Sequence, residues 1–313
     1  MLGYLVRRLL ATIPVLLTVV VFVFFVVRLT PGDPAAILAG PDARPWEVEA
    51  LRESLGLNRP LIVQLGIWFR DIAQGDLGTS TFGKHKVLDL IQQRMVPTIS
   101  LAIMAEVLAV GMAIPLGVIA GWKAGTLTDR SIMISAVLGY SIPVFWLGLM
   151  LIYLFAVNLN WVPAAGYTPP SEGFGDYLMH LLLPAITTAV VAMALITRMT
   201  RATMIETLNE DYVRTARAKG LPEKVVLVRH ALRNAALPIV TVIGLGVAAL
   251  LSGLVVTEAV FAIPGLGRLL VDSITSRNYP VIQGTTLVIS VVYVFVNLLV
   301  DLSYAALDPR IRY

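Results

Sequence analysis

The sequence predicts an all-α integral membrane protein: six transmembrane helices, both termini on the inner side, and a helical docking element between the fourth and fifth spans. Three observations lead there. The 313 residues are 57% hydrophobic and only 14% charged, with a mean hydropathy of +0.81, whereas soluble chains carry roughly 25% charge. Six apolar stretches approach the ~20 residues that cross a bilayer. Lys and Arg sort to one side of the spans that these stretches imply. The net charge of +4 therefore reflects membrane topology and excludes nucleic acid as a partner. The absence of Cys excludes disulfides and thiolate chemistry.

The expected spans are 9–27, 98–121, 132–157, 181–197, 237–256 and 285–307. The first has the charged start of a signal peptide, but it is too long and no Ala-x-Ala site follows, so it is read as a retained span. Pro14 is tolerated there because neighbouring helices re-satisfy the freed carbonyl. Residues 28–97 form a long polar segment with eight Lys/Arg and eight Asp/Glu. It opens with turn signals and carries short amphipathic helices over 45–57 and 60–72, a small cap on the outer face. With the N-terminus inside, the inner segments hold 14 Lys/Arg against six acids, and the outer ones ten against twelve. The short outer loop 158–180 has neither Lys nor Arg. The positive-inside rule then gives N-in, C-in.

Polar residues inside the spans are candidates for function. Glu106 in the second span either lines a translocation path or pairs with a donor on another helix. Asn297 and Asp301 lie four apart on one face of the sixth span, near its inner end, where they serve helix–helix bonding or the translocation path. Gly244, Ala248 and Ser252 give the fifth a small-residue face for close helix approach, within the chain or with a partner. Gly78 to His85 approximates a phosphate-binding loop but is one residue short, and His85 cannot offer the hydroxyl that Mg²⁺ needs. The three His residues have no metal-ligand spacing, and no catalytic triad or carboxylate pair is visible.

The loop 198–236 is the one polar segment with a helical period and a strongly basic balance. A helix from Asp211 to Lys219 is expected, with Gly220 as a left-handed C-terminal cap. Pro222 and Glu223 open a second helix, 224–235, that ends before Pro238. Small residues ahead of the turn, Ala216 and Ala218, let another surface come close.

Asp211 to Gly220, followed by His230-Ala231-Leu232-Arg233-Asn234-Ala235, resembles the EAA loop of ABC-importer permeases in its peptide-permease form. Arg214-Thr215-Ala216 stand where the generic loop has Glu-Ala-Ala, so Ala216 and Gly220 keep its pattern. Further blocks resemble the same family: Leu-Thr-Pro-Gly-Asp-Pro at 29–34, Leu-Gly-Leu-Asn-Arg-Pro at 55–60 and Gly-Asp-Leu-Gly-Thr-Ser at 75–80. Ser-Ile-Pro-Val-Phe at 141–145, Pro-Ala-Ala-Gly at 163–166 and Phe-Ala-Ile-Pro-Gly-Leu-Gly at 261–267 continue the match. The tail from Asp301 to Arg312 completes it. Together they are similar to the B-type permease subunit of dipeptide, oligopeptide and nickel ABC importers. Arg277-Asn278-Tyr279-Pro280 departs from the family's Arg-Asp-Tyr-Pro.

The resemblance implies a type I importer permease in the bacterial inner membrane, without an ATPase site or cofactor of its own. Its partners would be a homologous second permease, two ATPases carrying ATP and Mg²⁺, and an extracytoplasmic binding protein. Asp211, Tyr212, Arg214, Thr215, Ala216, Ala218, Lys219, Gly220 and Leu221 would couple the ATPases to the spans. Peptides are the expected cargo, with nickel complexes or other small solutes as alternatives. A proton-coupled transporter acting alone is the rival class, marked by acids converging at the membrane midplane.

Overall fold

The computed structural model describes residues 2–29, 33–40, 42–83 and 85–307. Among them the structure is helical, with one isolated antiparallel bridge between Thr79 and Lys86. The helices are α1 (Leu2–Leu29), α2 (Pro34–Ala39), α3 (Pro45–Ser54), α4 (Leu61–Ala73), α5 (Val87–Trp122) and α6 (Leu127–Ser141). There follow α7 (Val144–Leu151) with a π-helical extension (Ile152–Asn158), α8 (Phe174–Leu208), α9 (Asp211–Ala218) and α10 (Glu223–Val225). A π-helical turn (Val226–Leu232) leads into α11 (Arg233–Val260), α12 (Leu266–Thr275) and α13 (Tyr279–Leu307). Among the described residues five helical runs are long and apolar enough to cross a membrane, and α6 with α7 makes a sixth if that bent pair is one span.

Three helical boundaries differ from the sequence expectation. The segment 132–157 is not one straight span: it breaks between α6 and α7 with a bend of 104°. Pro143 lacks an amide hydrogen and drives the preceding residue out of the helical region; Ile142 accordingly sits at φ −80, ψ 128. The fourth helix does not stop at Thr197. Its 35 residues span about 52 Å at 1.5 Å per residue, well beyond the ~30 Å of a hydrocarbon core. Nor does the second helix of the polar loop end before Pro238: α10, the π-helical turn and α11 follow without a gap, and Pro238 lies inside α11. α12, within the 257–284 segment, carried no helical expectation at all.

Two compact units make up the chain. The larger comprises residues 1–5, 97–264 and 295–313. Its core is built on close approach of small residues. Along α5, Ala109, Ala113, Gly117 and Gly121 recur every four residues and so share one face. A Cβ on Gly117 would stand 2.5 Å from Cβ of Thr200, and one on Gly121 2.7 Å from Cβ of Met204, both on α8. Ala189, Ala192, Ile196 and Met204 of α8 pack with Ala235, Ile239 and Leu250 of α11 in the same apolar cluster. Gly244 faces Val300 of α13, leaving no room for a side chain; the side chains of Ala248 and Ser252 lie outside those described. Small residues let helix axes approach where lipid provides no hydrophobic drive for association.

The smaller unit comprises residues 6–96 and 265–294 and relies more on polar closure. Gln64 is buried, accepts from Nε of Arg28 at 2.7 Å and donates to the carbonyls of Leu57 and Arg59 at 3.1 and 2.8 Å. Asp33 caps α2 and pairs with Arg52, whose hydrogen bond holds that carboxyl below its ordinary range. The 78–87 turn closes on itself through Ser80 N to His85 O and Val87 N to Gly78 O. Asn278 donates to Ser80 Oγ at 2.7 Å and accepts from Thr81 N at 3.2 Å. The amide at the position where the family pattern has Asp is thus used on both its donor and acceptor sides. An apolar cluster of Val87, Ile91, Leu266, Leu269 and Val281 lies beneath.

Candidate functional site

The polar connection after α8 forms a short surface helix and a closed turn. α9 has one anchoring face: Val213 and Ala216 are buried against Leu208 and Val226. The i, i+3 spacing of the two anchors leaves the remaining faces open. Asp211, Tyr212, Arg214, Thr215, Ala218, Lys219, Gly220 and Leu221 are all exposed, while Ala216 faces inward. Gly220 adopts φ +75, with Gly220 N bonded to Arg217 O at 2.9 Å and Leu221 N to Ala216 O at 3.4 Å. This pair of bonds is the Schellman closure that a left-handed glycine permits. No atom lies within 4 Å of where a Cβ on Gly220 would stand, so the conformation, not crowding, calls for glycine.

Across the turn Arg217 donates to both carboxylate oxygens of Glu223, at 2.8 and 3.3 Å. That hydrogen bonding holds the guanidinium above its ordinary pKa. Arg214 pairs with Asp211 at 3.2 Å. Lys219 and Arg214 stay at the surface, next to the exposed Tyr212 and Leu221. The result is a small basic platform with apolar points, rigidly mounted on Leu208 and Val226. It contains no nucleophile or base arranged for chemistry.

Ten residues before α9, the same α8 is tied to α6. Arg201 donates through Nε and Nη2 to the two oxygens of Asp129, the latter at 2.8 Å. Asp129 is buried, also accepts from Gly125 N at 2.9 Å, and its own amide donates to Thr126 Oγ1, the cap of α6. A bidentate, charge-assisted pair of this kind fixes orientation as well as distance. The sequence reading missed it, because the partners are 72 residues apart and no local spacing marks them.

Polar groups inside the spans are differently placed. Both carboxylate oxygens of Glu106 are buried and have no hydrogen-bond partner among the described residues. Asn297 is half-buried on α13, and no hydrogen bond joins it to Glu106 among the described residues. The side chain of Asp301 lies outside those described. Glu258, which the expected span end at Val256 left in a loop, is instead fully buried near the end of α11 and accepts from Thr98 Oγ1 at 2.6 Å. Beside it Thr257 accepts from Thr188 Oγ1 at 3.0 Å. No cluster of metal-ligating side chains occurs among the described residues.

The family model described as "binding-protein-dependent transport system inner membrane component" matches residues 113–313. A companion model for the N-terminal part of such membrane components matches residues 1–102. The chain belongs to this permease family. It is 48% identical over 310 residues to a probable peptide ABC transporter permease, y4tP, of Sinorhizobium fredii, covering 99% of both chains. It is 44% identical over 313 residues to the glutathione transport system permease GsiC of Escherichia coli, covering all of both. An inward-facing MetNI methionine ABC transporter chain superposes with a TM-score of 0.59 at 16% identity, over 71% of this chain and 97% of that one; that likeness bears on fold alone. As a permease of this family the chain is a multi-pass transport subunit, not a catalytic enzyme. The family's systems work with an ATPase and a binding protein.

Proposed function

We propose that this permease is one half of the translocation path of an ATP-driven importer of dipeptides or oligopeptides. The observation that carries the reading is full-length identity of 40–48% to permeases named for peptide, dipeptide and glutathione transport. In this reading the chain crosses the bacterial inner membrane six times, with the bent α6–α7 pair as the third span and both termini inside. It pairs with a homologous permease and two ATPases that hold ATP and Mg²⁺. An extracytoplasmic binding protein delivers cargo to the 28–97 segment.

α9 is the coupling element. Asp211, Tyr212, Arg214, Thr215, Ala218, Lys219, Gly220 and Leu221 form the face that an ATPase groove receives, and Ala216 mounts that face on the permease. The Schellman turn makes the element stiff enough to carry a push. α8 and the rod beginning at Glu223 receive it from either side. Glu106, Asn297 and Asp301 belong to the path or its gate. The carboxylate of Glu106, buried without a hydrogen-bond partner among the described residues, finds one in the second permease or in passing cargo.

The test is uptake in vesicles holding the permease pair, the ATPases and the binding protein encoded beside them. Labelled peptides should enter with ATP and without a proton gradient. Uptake driven by a proton gradient alone would favour a self-contained transporter centred on Glu106. Uptake of nickel complexes in place of peptides would keep the machine and change its cargo. Replacing Gly220 by a bulky charged residue, Gly220→Glu, should abolish uptake while the chain still reaches the membrane. Wild-type transport by that variant would refute the coupling role.

A further inference from the structure

A groove runs along the seam between α8 and α11. Its narrow part, about 70 Å³, is walled by Val144, Thr188, Ala192, Leu250 and Gly253. Its wide part, about 440 Å³, is walled by Arg198, Met199, Ala202, Val242 and Leu245. Leu195 and Gly246 line both parts, so the two adjoin. On α8 the lining residues recur every three or four positions from Thr188 to Ala202, a single helical stripe about 21 Å long. On α11, Gly246 and Gly253 keep the floor low.

The lining is apolar apart from Thr188 at the narrow part and Arg198 in the wide one. Thr188 is committed: its one hydroxyl proton is shared between Pro184 O and Thr257 Oγ1. Arg198 is not. Among the described residues no hydrogen bond or ion pair holds its guanidinium, although Arg201, three residues on, is fully engaged by Asp129. Arg198 is exposed at the wide end of the groove, and a guanidinium there suits a carboxylate, which it binds in a planar two-point contact.

We propose that this groove is one part of the chain's share of the cargo path, together with the Glu106 region, and that Arg198 receives the C-terminal carboxylate of the passing peptide. The proposal rests on the peptide-importer reading above. Peptides, dipeptides and glutathione, the cargoes named for the relatives, all carry a free carboxylate. An extended tripeptide of about 10 Å fits within the stripe, and the apolar middle, without hydrogen-bond partners of its own, accepts varied side chains. The widening toward Arg198 gives the carboxylate room to leave as well as to bind.

The experiment compares wild type, Arg198→Lys and Arg198→Glu in the complete reconstituted complex. ATP-driven uptake is measured for a tripeptide with a free C-terminus and for its C-terminal amide, in vesicles of phosphatidylcholine with and without phosphatidylglycerol. The binding protein's own preference cancels when each variant is divided by wild type. Arg198→Glu should lower uptake of the free acid about tenfold and of the amide less than about twofold, with Arg198→Lys between. Equal losses for both peptides overturn the proposal. So does a defect that appears only with phosphatidylglycerol present, which would assign Arg198 to a lipid headgroup. If the wild-type complex carries no peptide, the importer reading fails, and a second measurement decides this site. The chain has no Cys, so Ala202→Cys provides a single thiol in the groove. It should react about tenfold faster with an anionic sulfonate reagent than with a cationic ammonium one, and Arg198→Glu should reverse that order. Equal rates in both backgrounds overturn the assignment.

Discussion

The two ends of the α8–α9 connection are held by opposite kinds of interaction. At the α9 turn the polar restraints are local: the Schellman bonds span five residues at most, and Arg217 reaches Glu223 only six positions away. Earlier on α8 the restraints are remote: Arg201 grips Asp129 across 72 residues, and Gly117 admits Thr200 from a helix that begins more than 50 positions later. The local set is exposed and lies within one short stretch of sequence. The remote set is buried and exists only once α5, α6 and α8 have assembled. If the coupling proposed above holds, the first kind of turn passes on a push without changing shape, and the second kind of joint sets which helices move with it.

The sharpest way to break this contrast is to remove one half of the buried pair. Arg201→Ala leaves the Asp129 carboxylate buried with only the Gly125 amide as partner, a change that costs about 3–5 kcal/mol in comparable sites. Thermal unfolding of the purified complex should shift down by several degrees, and the double variant Asp129→Asn/Arg201→Gln should recover part of the loss. A shift no larger than that of a surface variant would mean the pair is not buried in the assembled protein. Next in size is Gly117→Val. With Cβ of Thr200 2.5 Å and a backbone carbonyl 2.9 Å from the new Cβ, overpacking should cost about 3 kcal/mol. Gly111→Ala on the same helix, with nothing within 4 Å, should be close to neutral when read by the same melt.

The local set should yield smaller numbers. Gly220→Ala forces a side chain into the left-handed region and should cost about 1 kcal/mol. Arg217→Ala removes an exposed ion pair worth about 0.5 kcal/mol, and less at high salt. Both should appear as faster amide exchange confined to 211–222, with the melting of the whole complex nearly unchanged. A global loss of stability from either would erase the distinction between the two ends.

The same distinction separates what could be read in the sequence from what could not. The apolar stretches were legible because lipid demands long runs of one chemistry, and the Gly220 cap because its signal sits within five residues. Helix ends were harder. α8 runs past Arg198 and Arg201 because a helix leaving the bilayer meets no breaker until Asn209, and hydropathy falls before the helix does. The break at Pro143 carried a local signal, but the apolar run on both sides masked it. Glu258 was displaced into a loop for the opposite reason: its charge suggested an end that α11 does not have. Nothing near Asp129 or Arg201 distinguishes them from the other charges that flank the spans, since the contact is made only by the fold.

The uninterrupted run from Glu223 to Val260 has a mechanical meaning. About 55 Å of helical backbone joins the edge of the surface turn to the buried Thr257 and Glu258 with no flexible linker between them. A small tilt imposed at Glu223 becomes, at the far tip, a sideways sweep that grows in proportion to the distance from the fulcrum. The π-helical winding at 226–232 and the missing amide of Pro238 are the two places where such a beam gives, and both lie on the Glu223 side. Under the coupling proposed above, the far portion would swing as a single stiff arm.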